Sequence, residues 1–114
     1  MEKYMLIFHG DPSKAPASPE EMQANMNKWM AWVDKLGKNN QYVSGEPLLP
    51  GGKLISGSSK KVVDGPYTEG KEIVGGYFII NAKDIEEAVT IAKECPDYEI
   101  GASVQVRQVM KMDM

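Results

Sequence analysis

Two short segments of this chain carry large apolar side chains on both faces of an extended strand, and this limits the folds open to it. In Lys3 to His9, Tyr4, Leu6 and Phe8 point one way while Met5, Ile7 and His9 point the other, because side chains alternate along a strand. Tyr77 to Ile80 repeats the pattern, with Phe78 and Ile80 opposed to Tyr77 and Ile79. Strands of this kind lie in the middle of a sheet that is covered on both sides. The chain must therefore supply two covering layers, or take one from elsewhere.

Its own supply is two helices. Ser18 is an N-cap, Pro19 suits the first helical position and Glu21 completes a capping box, which predicts a helix from Pro19 to Leu36. Met22, Met26, Trp29, Met30, Val33 and Leu36 form its expected apolar stripe, and Gly37 its stop. Trp29, Trp32 and the methionines would also suit a cofactor pocket, but side chains at this spacing are ordinarily core. Asp84, with Glu87 three positions on, starts a second helix with the stripe Ile85, Ala88, Val89 and Ala92, ended by Cys95-Pro96.

The remaining segments read as strands and turns. Gln41 to Glu46 is a short strand that Pro47 and Pro50 end, and Leu54 to Ser56 with Lys61 to Val63 form a hairpin with Gly57-Ser58-Ser59-Lys60 at its tip. Asp64-Gly65-Pro66 bends the chain. Ala102 to Met110 is the last strand, with Val104, Val106 and Met110 on one face and Ser103, Gln105 and Arg107 on the other. The order strand, helix, strand, hairpin, strand, helix, strand predicts one α+β domain over residues 1–114. Its fold class is a ferredoxin-like β-α-β-β-α-β sandwich with an inserted β-hairpin and an antiparallel 4-1-3-2 sheet. Both helices then lie on one face, and the bare apolar face predicts a homodimer packed sheet to sheet.

Charge and composition narrow the partners. A net charge of −3 gives no basic footprint, so nucleic acid is not expected. No apolar run approaches the ~20 residues of a membrane span, the N-terminus lacks the order of a signal peptide, and the single Cys95 fits a reducing compartment. A cytoplasmic location is expected.

The stretch Asp64-Gly65-Pro66-Tyr67, followed by Glu69, Lys71 and Glu72 and then Gly75-Gly76-Tyr77, resembles the signature of the DGPF group of the YCII-related family, with Tyr67 in place of the phenylalanine. The similarity extends to Tyr4-Met5-Leu6-Ile7, Ser18-Pro19-Glu20-Glu21, Cys95-Pro96 and Ser103-Val104-Gln105-Val106-Arg107. The resemblance implies a dimeric α/β-barrel and no defined activity. The wider family is associated with a proposed pair, a histidine in the first helix and an aspartate before a proline after the second. This chain has no histidine between Pro19 and Leu36 and has Cys95 before Pro96, so neither that pair nor the chloride-eliminating chemistry of a related fold carries over.

The topology gathers His9, Asp11, Asp64 to Glu72, Gly75, Cys95 to Tyr98 and Ser103 at one edge of the sheet. His9, the only histidine, is the candidate base, since its unperturbed pKa lies near neutrality, and Asp64 is its candidate orienter. The plainer readings are a polar strand end for His9 and a turn cap for Asp64. Asp11, Tyr67, Glu69, Ser103 and Arg107 are candidate ligand-binding residues, Arg107 also a candidate for bonds across the dimer. At a helix C-terminus the dipole disfavours a Cys95 thiolate, so Cys95 reads as a small buried apolar residue. No metal-ligand spacing, phosphate loop or dinucleotide fingerprint occurs, and no cofactor is expected. Two classes follow: a cofactor-free acid–base enzyme performing elimination or isomerisation on a small polar or aromatic molecule, or a non-catalytic module that binds a small ligand or a protein.

Overall fold

The computed structural model describes residues 1–65 and 73–112. β1 (Glu2–Gly10), α1 (Pro19–Lys38), β2 (Tyr42–Pro47), β3 (Lys53–Ser56), β4 (Lys61–Asp64), β5 (Ile73–Ala82), α2 (Ile85–Ala92) and β6 (Ser103–Gln108) follow in chain order. The main sheet is antiparallel in the order β2-β5-β1-β6, the expected arrangement, and β3 and β4 pair in a separate two-stranded sheet. This is a ferredoxin-like α+β fold.

The helix starts form as their sequences dictate. Ser18 Oγ accepts the Glu21 amide at 3.1 Å. Asp84 accepts the Glu87 amide at 2.9 Å, while the Glu87 carboxylate accepts the Lys83 amide at 3.1 Å, so the second start is closed from both sides. The helix ends differ from expectation. α1 runs through Gly37 to Lys38 and stops at Asn40, which takes the left-handed conformation (φ 57°) as the Gln41 amide bonds back to the Leu36 carbonyl at 2.8 Å. Asparagine is among the few residues besides glycine that take that conformation at a helix end, and Gly37 stays helical. α2 stops at Ala92, ahead of Cys95-Pro96.

One face of the main sheet holds the core. Tyr4, Leu6 and Phe8 of β1 and Phe78, Ile80 and Ala82 of β5 are buried beneath Trp32 and Leu36 of α1 and Ala88, Ile91 and Ala92 of α2. Phe8, Trp29, Trp32, Phe78 and Tyr42 meet ring to ring, with centroids from 4.9 to 5.9 Å apart and mostly edge to face, the arrangement that aromatic quadrupoles favour. Two expected stripes are corrected here. Met22, Met26 and Met30 are exposed, and Trp32 takes the core position; Met26 and Met30 follow the inward Asn25 and Trp29 by one residue, which turns them about 100° away from the sheet. In α2, Ile85 is exposed and Ile91 is buried in its stead.

Glycine sets the closest approaches of β5 and β2. A Cβ on Gly76 would lie 2.8 Å from the Glu46 carbonyl oxygen, so the absent side chain is what lets the two backbones come this close. A Cβ on Gly45 would run into the Phe78 ring and sit 2.7 Å from the Tyr77 carbonyl. Gly45→Ala is therefore expected to lower stability by about 1–3 kcal/mol in urea unfolding, because the Phe78 ring is wedged among four others and cannot move aside.

Candidate functional site

On the face turned away from the helices, β1 presents Met5, Ile7 and His9, β5 presents Tyr77 and Ile79, and β6 presents Ser103, Gln105 and Arg107. Met5, Ile7, Tyr77 and Ile79 are half-buried, with no layer of the described residues over them. At one end of this face a register shift between Phe8 and His9 sets His9 opposite Val74 on one side and Ser103 on the other. His9 Nε2 lies 2.8 Å from Gln105 Nε2. An amide nitrogen only donates, so in this orientation Gln105 is the donor and His9 Nε2 the acceptor.

The other predicted residues separate into three groups. Asp11 caps the short 3-10 turn at Pro12–Lys14, accepting the Ser13 hydroxyl at 2.7 Å and its amide at 2.9 Å. Those two bonds, the hydroxyl's first, hold its carboxyl below the usual range, so it is a turn cap in the charged form at neutral pH. Asp64 is the last residue of β4 and forms an ion pair with Lys53 across the hairpin. Among the described residues no hydrogen bond joins Asp64 to His9, and the imidazole lies against Gln105. Tyr67 and Glu69, with Lys71 and Glu72, lie outside the described residues.

Arg107 stands apart. It is the chain's single arginine, sits opposite Met5, and makes no hydrogen bond or ion pair among the described residues. With Met5, Ile7, Gln108 and Val109 it lines an open depression of about 240 Å³. An apolar floor with one guanidinium at its side suits an acid with a small apolar or aromatic body.

A second polar site lies on the helix side. Asp97 Oδ1 accepts from Asn25 Nδ2 at 2.7 Å and from Trp29 Nε1 at 3.1 Å, and the Asp97 carbonyl accepts the Ile100 and Ala102 amides at 3.1 Å. It ties α1 to the turn after α2. The sequence names no partner for Asp97, since these contacts span about seventy residues; the two donors at one helical turn's spacing are the only local sign. Next to it, burial pushes the Cys95 thiol up to about 11 and the Asp97 charge adds to this, although the Asp97 amide acts the other way. Cys95 is thus the inert buried thiol that its position predicts. No cluster of metal-ligating side chains occurs among the described residues.

A family model for the YCII-related domain matches residues 2–113. The chain belongs to the YCII-related family. No curated protein matches it. In this YCII-related chain the first helix and the segment after the second do meet through polar side chains, and these are Asn25 and Asp97. Among the described residues no helix is long and apolar enough to cross a membrane.

Two outcomes test this description. Asp97→Ala strands two donors and should cost about 1–3 kcal/mol in denaturant unfolding, with Asp97→Asn, which keeps an acceptor oxygen, costing less. Cys95 should fail to react with a thiol reagent at pH 8 in the native state and react at the rate of unfolding when urea is added.

Proposed function

We propose that this YCII-related protein, as a DGPF-type member, works as a cytoplasmic homodimer packed open face to open face, and that the space between the two sheets binds a small polar or aromatic acid. The observation that carries this reading is surplus surface. The chain exposes 8345 Å², whereas a compact monomer of 12.6 kDa exposes about 6,200 Å². Its radius of gyration is 15.8 Å, against about 13 Å for a compact domain of this length. A protein with that much exposed surface and a half-buried apolar sheet face is built to be covered.

In this reading Arg107 anchors the acid, Met5 and Ile7 form the apolar floor, and Ser103 and the Gln105–His9 pair supply polar contacts at one end. An arginine suits the task better than a lysine, because its planar fork binds a carboxylate through two parallel bonds. Asp11 directly follows β1 at the same sheet end.

A second reading is cofactor-free acid–base chemistry, elimination or isomerisation, with His9 as base. It is favoured by the position of the His9 imidazole, which lies on the open face with Nε2 2.8 Å from Gln105 Nε2. Asp64 serves as its orienter only by exchanging Lys53 for His9.

Calorimetric titration with a panel of small aliphatic and aromatic acids tests both. Binding that Arg107→Met weakens at least about tenfold, and that Arg107→Lys weakens less, supports the binding reading. Turnover of any ligand found, abolished by His9→Ala with binding retained, supports the enzyme reading. Equal titration of wild type and Arg107→Met contradicts the assigned anchor.

A further inference from the structure

The β3–β4 hairpin is apolar on both of its faces. Leu54 pairs with Val63 and Ile55 with Val62, and because neighbouring pairs point to opposite faces, one apolar pair lies on each side. The relative exposures are 52% for Leu54, 62% for Ile55, 57% for Val62 and 39% for Val63, and no residue of either strand is buried. Leu48 and Leu49, on the approach to the hairpin, are exposed as well. A two-stranded hairpin alone is at best marginally stable in water, so this one requires a cover.

The described residues of its own chain do not supply that cover. The Cα extents are 47 × 43 × 19 Å. A sheet under one layer of helices already fills about 20 Å, and a hairpin folded back over the open face would add a layer of about 10 Å. The hairpin therefore projects within the plane of the slab. It leaves the sheet where β2 ends at Pro47, opposite Gly76, and Gly76 in turn pairs with Phe8, next to His9. Its base is closed by the Gly65 amide on the Gly52 carbonyl at 3.1 Å.

We infer that the hairpin is a clasp for a second copy of this chain: it lies across the partner subunit's open face and closes the His9 end, so that each ligand site is built from two chains. The inference rests on the sheet-to-sheet dimer proposed above. The same chain carries both halves of the contact, an uncovered apolar sheet face and an uncovered apolar arm, as a two-fold interface requires. The two apolar faces of the arm are explained together, because an arm inserted between two bodies is covered from both sides.

The test uses the full chain with Ile55→Cys carrying a benzophenone photocrosslinker, which Cys95 does not take up because its thiol is buried. Equal amounts of 14N- and 15N-labelled protein are mixed, irradiated and digested. The clasp predicts isotopically mixed crosslinks from the hairpin to peptides of β1 or β6. Crosslinks confined to one chain, or mixed crosslinks that reach only the helices, overturn it. In sedimentation equilibrium, Ile55→Asp and Leu54→Asp should each raise the dimer dissociation constant at least about tenfold. If Ile7→Asp dissociates the dimer while both hairpin variants leave the constant unchanged, the clasp fails and the sheet-to-sheet dimer stands. If the wild type is monomeric at 100-fold above its assay concentration, both fail.

Discussion

The main sheet has two apolar faces, and the helices among the described residues cover one. That mismatch governs the rest of the structure. Beneath α1 and α2, Leu6, Leu36 and Ile80 are fully buried and five aromatic rings lock edge to face, so this side is a finished core. On the other side Met5, Ile7, Tyr77 and Ile79 remain half-buried. Burial of a fully exposed apolar side chain is worth about 1.5–3 kcal/mol, so covering these four, already half-buried, adds roughly 3–6 kcal/mol, a large share of the net stability of a small domain.

The polar groups of the open face follow from its position. His9, Gln105 and Arg107 project from central and edge strands that the core side holds rigid, so they are presented at fixed spacing on a stiff support. By contrast Asp64 sits on the projecting hairpin and is already neutralised by Lys53. The side chains suited to binding are thus those on the sheet, and the carboxylate expected to orient His9 belongs to a different structural unit. On the helix side, Asp97 performs a structural task with a charged group: it accepts two side-chain donors from α1 and so fixes the helix on the sheet it covers.

Much of this was legible in the sequence. Alternation in β1 and β5 identified the two-sided sheet, the caps at Ser18 and Asp84 located both helix starts, and the strand order followed from right-handed crossovers. The phase of α1 was not legible, because Met26 and Met30 continue the apolar spacing although only Trp29, Trp32, Val33 and Leu36 meet the sheet. Nothing in a periodic pattern distinguishes a core-facing methionine from one a single residue further round. Asp97 and the Gln105–His9 contact were also hidden, since each joins residues far apart in the chain. The hairpin's position was readable, but not that all of its residues are exposed, which depends on what else the fold brings near.

The measurement that bears most directly on this account is sedimentation equilibrium of the wild-type chain beside Ile7→Asp, which places a charge at the centre of the open face while leaving the helix-side core intact. The account predicts a wild-type particle of twice the 12.6 kDa chain mass and a folded monomer for Ile7→Asp. A wild-type particle of 12.6 kDa, or an Ile7→Asp variant that dimerises as tightly as the wild type, would contradict it.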